Sequence, residues 1–196
     1  MQKEVLSLPA ARRGHFRLES GHHGDLWLDL ELLCLRPDAV RKWAAELAKR
    51  LATHSIDAVC GPLVEGAFVA LLTASELGVE FTYSERFAPP ERGGLYPVTY
   101  RIPAALRPRL CGRRVAIVND VINAGAAVRG TLQDLKACGA EPVALGALLV
   151  LGSFSSRLAA ENKLALESIA SLPNSLWTPS ECPLCAAGVP LEGELP

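Results

Sequence analysis

Residues 115–131 read Val-Ala-Ile-Val-Asn-Asp-Val-Ile-Asn-Ala-Gly-Ala-Ala-Val-Arg-Gly-Thr. Val115 to Val118 form an apolar run of strand length, suited to burial on both faces of a sheet. Asn119 and Asp120 fall where that strand is expected to end. The small residues Asn123, Ala124, Gly125, Ala126 and Ala127 then open a helix, which the pattern carries to about Cys138, with Gly139 as its stop. A strand that turns through small residues into a helix N-terminus leaves free N–H groups pointing at one spot, where the helix dipole favours an anion. The Asp120 carboxylate and Asn119 amide lie just upstream, where ribose hydroxyls would cross the strand ends. This stretch therefore offers a place for a ribose 5-phosphate. Read alone, Asp120 also suits a helix-capping role, and any βαβ unit needs a turn at this point.

The flanking sequence is α/β throughout. Residues 37–54 carry Val40, Trp43, Ala44, Leu47, Ala48 and Leu51 at helical spacing, with Asp38 in the first turn. The run Ala58-Val59-Cys60 leads through Gly61-Pro62-Leu63-Val64-Glu65-Gly66 into a helix over about 67–77, and Val79 to Tyr83 reads as the next strand. Residues 87–112 contain Pro89, Pro90, Pro97, Pro103 and Pro108 and have no helical period, as a lid or binding loop would. Val143 to Leu151 reads as a central parallel strand, followed by a helix over 154–168 and a coil tail. Strands alternating with helices predict a parallel sheet with ligands at the carboxyl ends of its strands, where both the 61–66 and 119–127 loops fall.

At 196 residues the chain is expected to form a single domain: a hood over about 1–36, a core over about 37–152, and a helix and tail over 153–196. A net charge of −1 with no basic run gives no electrostatic case for nucleic acid. Residues 1–9 lack a signal-like apolar core and no long apolar stretch suggests a membrane span, so a cytoplasmic location is expected. No Gly-x-Gly-x-x-Gly fingerprint follows any strand, which disfavours a dinucleotide site.

The 115–131 layout resembles the signature of the type I phosphoribosyltransferases, and within them the orotate enzymes, whose loop commonly reads Asp-Asp-Val-Ile-Thr-Ala-Gly-Thr-Ala. Other segments are similar to the same family in order and spacing. Gly14-His15-Phe16-Arg17-Leu18-Glu19-Ser20-Gly21 is similar to its Gly-x-Phe-x-Leu-x-Ser-Gly element, followed by an extended strand at Leu26 to Leu30. Residues 61–66 are similar to its pyrophosphate loop, and Ser84-Glu85-Arg86 with the stretch to Arg101 stands where the family has a mobile catalytic loop.

The resemblance implies a parallel-sheet type I phosphoribosyltransferase-like fold with a small N-terminal hood and a Cys-x-x-Cys tail. It implies transfer of phosphoribosyl from phosphoribosyl pyrophosphate to a nitrogenous base, with Mg²⁺, in a homodimer. Carried onto this chain, residues 119, 120 and 123–127 hold the phosphoribosyl group and Gly61, Pro62, Leu63, Val64, Glu65 and Gly66 hold pyrophosphate. Asp120 with Arg86 and Arg101 serves catalysis. Glu19, His22 and His23 belong to the base pocket, plain surface being the other reading of the two histidines.

The chain departs from the family at charged positions. Asn119 replaces an acid, and Glu19 and Glu65 stand where lysines are common. No Lys occurs between Lys49 and Lys136, which leaves Arg86, Arg92 and Arg101 as the loop's cations. At Leu151-Gly152-Ser153 the Arg that reads a base's carboxylate is absent, the nearest cation being Arg157, so the base is open between orotate and another. These departures support an alternative, a non-catalytic nucleotide- or phosphoribose-binding module on the same fold.

Six cysteines are spread along the chain and are expected to be reduced thiols. Cys182 and Cys185 have half the spacing of a zinc knuckle, but no second Cys-x-x-Cys or neighbouring His completes four ligands. A plain tail turn is the expectation, with zinc or a redox pair as the alternatives. Some orotate enzymes have a similar Cys-Pro-Leu-Cys tail, followed as here by Gly-x-Pro-Leu.

Overall fold

The computed structural model describes residues 10–87 and 94–192; the start of the hood, Arg92 and the last four residues lie outside them. The core is a six-stranded sheet in the order β5-β4-β3-β6-β7-β8. Its strands are β3 (Ala58–Pro62), β4 (Glu80–Phe87), β5 (Thr99–Arg101), β6 (Arg114–Ile122), β7 (Glu141–Leu151) and β8 (Ala165–Leu172). Neighbouring strands are parallel from β4 through β8, and β5 runs antiparallel to β4.

Side chains along β6 alternate between two cores. Ala116 and Val118 face one side, with Val40, Trp43, Leu47 and Leu51 of α1 (Pro37–Leu51) and Val69, Ala70 and Ala74 of α2 (Glu65–Leu77). Val115 and Ile117 face the other, with Val128, Leu132 and Leu135 of α4 (Ala126–Ala137) and Leu158 and Ala159 of α5 (Phe154–Asn162). A strand sandwiched this way must be apolar at every position, which is why 115–118 reads as an unbroken run. Each fully buried Leu here, such as Leu47 or Leu51, contributes about 1.5–3 kcal/mol of transfer free energy.

Several elements differ from the sequence expectation. Strand β6 continues through Asn119 and Asp120 to Ile122, because Asn119, Val121 and Ile122 still pair with β7. The helix expected over 154–168 stops at Asn162, where Lys163 turns left-handed (φ 56°), and Ala165–Leu172 becomes the outer parallel strand. The stretch 87–112 is partly regular: β5 caps the sheet and a short helix, α3 (Arg107–Leu110), follows. Asp134 of α4 pins that stretch by accepting from the Ile102 N–H and from Arg107, both at 2.7 Å.

The tail is not coil. Its strand β9 (Leu176–Trp177) joins β1 (Ala10–Arg17) and β2 (His23–Asp29) in a second sheet ordered β1-β2-β9. Helix α6 (Pro183–Ala186) lies just beyond. This small sheet is the hood, built from both ends of the chain. Among the described residues no helix is long and apolar enough to cross a membrane.

Candidate active site

A cavity of about 410 Å³ lies between the hood and the carboxyl ends of β3 and β6. Its floor is formed by residues 62–66 and by Asn119, Asp120, Val121 and residues 123–128; its roof comes from Leu18, Glu19, Ser20 and the Leu26–Leu28 segment. Parallel strands end together on one edge, so two loops far apart in sequence converge on one space.

The turn into α4 is set by Gly125. It has φ 74° and precedes the first residue of α4, and an added Cβ would collide with the Phe154 ring. The first helical bond runs from the Arg129 N–H to the Gly125 carbonyl, 2.9 Å. Helix geometry therefore leaves the N–H groups of Ala126, Ala127 and Val128 without intrahelical acceptors, and these residues line the cavity. Asn174 donates to the Asn123 Oδ1 at 2.8 Å and Tyr96 donates to the Ala124 carbonyl at 3.2 Å, fixing the loop from outside.

Asn119 belongs to the scaffold as much as to the cavity. Its Nδ2 donates to the Val121 carbonyl at 2.7 Å, and its Oδ1 occupies the space a Cβ on Gly66 would need. The side chain thus joins the two loops, and Gly66 permits the approach. Asp120, 4% exposed, is pushed up to about 7 by burial. The backbone N–H of Val121 opposes this, and the nearby carboxylates of Glu65 and Glu31 add to it.

Of the two proposed cations, only Arg86 reaches the cavity. Its Nε donates to Glu19 at 2.9 Å, and the Tyr100 hydroxyl donates to the other oxygen of the same carboxylate at 2.9 Å. Burial and Glu19 hold the Tyr100 hydroxyl well above its ordinary value, so it remains a donor. Alternation along β5 turns Arg101 the other way, over the Phe87 ring at 4.2 Å. Arg92 lies outside the described residues.

Neither His22 nor His23 lines this cavity. His22 contacts Ser20 and Tyr96 and lines a second cavity beside Arg129 and Arg157; burial pushes its pKa down. His23 lines neither cavity and instead meets His15, Cys182 and Cys185. The tail turn expected at Cys182 and Cys185 therefore has two histidine neighbours that sequence spacing did not show. Sequence reasoning also missed Tyr100, Trp27 and Glu31, which line the first cavity. Trp27 and Glu31 lie in or beside the apolar alternation of the hood strand, a usable signal; Tyr100 sits in the irregular proline-rich stretch and had none.

Among the cavity-lining residues, Glu19, Glu31, Glu65 and Asp120 face one cation, Arg86. All are hard oxygen donors, the set that suits Mg²⁺ shared with phosphate oxygens.

The fold and this site define a class: an α/β protein with a helix N-terminus and a buried carboxylate at the strand ends, beneath a hood. The pattern described as phosphoribosyl transferase domain matches residues 34–168, and the chain belongs to that family. It is 30% identical over 177 residues to an orotate phosphoribosyltransferase of Desulforamulus reducens, covering 90% of this chain and 85% of that one. It is 30% identical over 193 residues to the orotate phosphoribosyltransferase of Thermotoga maritima, covering 98% and 96%.

Solved structures agree on the fold. An adenine phosphoribosyltransferase from Thermoanaerobacter pseudethanolicus superposes with a TM-score of 0.67 at 16% identity, covering 88% of this chain and all of the other. The orotate phosphoribosyltransferase from Aeropyrum pernix gives 0.62 at 24% identity, covering 88% and 94%. In sequence the chain is most like the orotate enzymes, while its fold is shared with adenine enzymes.

Proposed function

We propose that this chain transfers phosphoribosyl from phosphoribosyl pyrophosphate to a nitrogenous base, orotate or another, releasing pyrophosphate. The observation that carries this reading is the convergence of residues 62–66 and 123–128 on one cavity, with Asp120 between them. Residues 123–128 would form a phosphate cradle for the 5-phosphate, Asp120 would accept from a ribose hydroxyl, and residues 61–66 would face the diphosphate. Mg²⁺ bound with the substrate would offset the charge leaving on pyrophosphate, held by carboxylates such as Glu65 and Glu19. Arg86 would supply the side-chain cation. Arg101 serves the loop from outside the cavity in the form described.

A homodimer and a cytoplasmic location accompany this reading. Leu32, Leu35, Phe68 and Leu71 are exposed on α2 and the 3₁₀ turn packed beside it (Leu30–Leu35), an apolar face that a second copy would cover. Light scattering would return twice the chain mass; a monomer at high concentration would reject the dimer.

The second reading, a non-catalytic phosphoribose- or nucleotide-binding module, is favoured by four carboxylates facing one cation where a diphosphate must sit. Calorimetric titration with phosphoribosyl pyrophosphate and with ribose 5-phosphate, with and without Mg²⁺, separates the two. Mg²⁺-dependent preference for the diphosphate, followed by pyrophosphate release in a screen of orotate, uracil, adenine and hypoxanthine, supports the enzyme. Equal binding of ribose 5-phosphate with no release supports the module, and no binding of either rejects both.

A further inference from the structure

Four side chains from opposite ends of the chain meet in the hood, and none of them lines the cavity. His15 Nε2 lies 3.1 Å from His23 Nδ1, 3.4 Å from Cys182 Sγ and 3.7 Å from Cys185 Sγ, and Cys185 Sγ lies 3.2 Å from His23 Nδ1. All four ligand atoms fall within 4.8 Å of one another. Zinc bonds of about 2.0–2.1 Å to nitrogen and 2.3 Å to sulfur, set tetrahedrally, place N···N near 3.3 Å, N···S near 3.5 Å and S···S near 3.8 Å. The N···N separation of 3.1 Å and the N···S separations of 3.2–3.7 Å have that scale. We infer that His15, His23, Cys182 and Cys185 form a structural Zn²⁺ site that clamps the C-terminal tail to the N-terminal hood.

Three further features fit this chemistry. His15 Nδ1 lies 2.8 Å from the Val189 carbonyl, so Nδ1–H donates there and the Nε2 lone pair faces the cluster; an outer hydrogen bond of this kind orients a ligating imidazole. The β1–β2 register shifts between Arg13 and Phe16, and this irregularity buries consecutive side chains, His15 and Phe16, where simple alternation would expose one. Two thiolates and two neutral imidazoles around Zn²⁺ sum to zero charge, as a site whose His15, His23 and Cys182 are nearly inaccessible requires. The donor set N₂S₂ selects zinc over magnesium, and every ligand lies outside the substrate cavity. The site is therefore independent of the reaction proposed above.

The clamp has a mechanical consequence. Leu18, Glu19 and Ser20 come three to five residues after His15, and Leu26 to Leu28 come three to five after His23, so the metal would hold the roof of the cavity. The test is metal analysis by mass spectrometry on full-length protein, purified under reducing conditions without metal affinity. It is followed by Co²⁺ exchange and by the variants Cys185→Ser and His23→Ala. One zinc per chain is expected, with the intense visible bands of tetrahedral thiolate-bound Co²⁺ after exchange. Each variant should lose the metal, and wild type treated with a zinc chelator should melt at a lower temperature. Because Cys185 is exposed, its Ser variant should remain folded by circular dichroism, which separates metal loss from unfolding. Three results would overturn the site: reduced protein that takes up no stoichiometric zinc, zinc content unchanged in both variants, or a Cys182–Cys185 disulfide in anaerobically purified protein.

Discussion

Arg86 donates its Nε–H to Glu19 at 2.9 Å, so the one cationic side chain among the cavity-lining residues is tied to a carboxylate of the hood. The pair is half-exposed and adds less than about 1 kcal/mol to folding. On the proposed function its weight falls on ligand binding, because an incoming diphosphate would compete with Glu19 for the same guanidinium. Glu19→Gln keeps a hydrogen-bond acceptor and removes one negative charge. It should tighten metal-free binding of phosphoribosyl pyrophosphate roughly fivefold, about 1 kcal/mol for one charge contact near solvent. Weaker binding in calorimetry would mean that the carboxylate itself holds the ligand.

Asp120 should make stability depend on pH. Its folded pKa is about 7 against an ordinary 3.8, so the folded chain keeps a proton that the unfolded chain releases between those values. This contribution is present in full below pH 3.8 and is lost as pH rises through about 7. Asp120→Asn should flatten that slope in urea titrations run at pH 5 and pH 8. A steeper or unchanged slope would assign the dependence to other groups.

Asn119→Asp tests whether the amide belongs to the architecture. The substitution removes the donor to the Val121 carbonyl and sets a second carboxylate beside Asp120. A loss of about 1–3 kcal/mol in denaturant titration is expected, the cost of an unmade buried hydrogen bond. A more stable variant would show that Asn119 is a handicap rather than a brace.

Gly125→Ala should empty the phosphate cradle. At φ 74° an L-residue pays about 1–2 kcal/mol, and here the added methyl also meets Phe154. Affinity for ribose 5-phosphate should fall by more than about tenfold, equivalent to 1.4 kcal/mol. The double variant with Phe154→Ala should recover part of it by removing the collision while leaving the backbone penalty. Retained affinity in the single variant would place the 5-phosphate elsewhere.

Much of this architecture is legible in local sequence. The apolar run before Asn119, the Gly-Pro turn after Cys60 and the small residues before Val128 report directly on buried strands and tight strand–helix turns. Each is a short-range consequence of burial and backbone freedom. Legibility fails where partners are remote. Residues 163–172 carry helix-compatible composition, and only the open edge of β7 makes Ala165–Leu172 a strand. Arg86 and Arg101 look equivalent in sequence, and alternation along paired strands sends one into the cavity and the other over Phe87.

The sequence by itself determined the α/β class and the places of the core strands β3, β4, β6 and β7 along the chain. Hydrophobic period and glycine position carry that information within a few residues. Only the tertiary structure decided that Glu19 is held by both Arg86 and Tyr100, and that His15 meets Cys182 across 167 residues of chain. Such meetings depend on how the hood strands, the β1 irregularity and the returning tail pack together. No local pattern encodes a contact whose two halves are brought together by the fold alone.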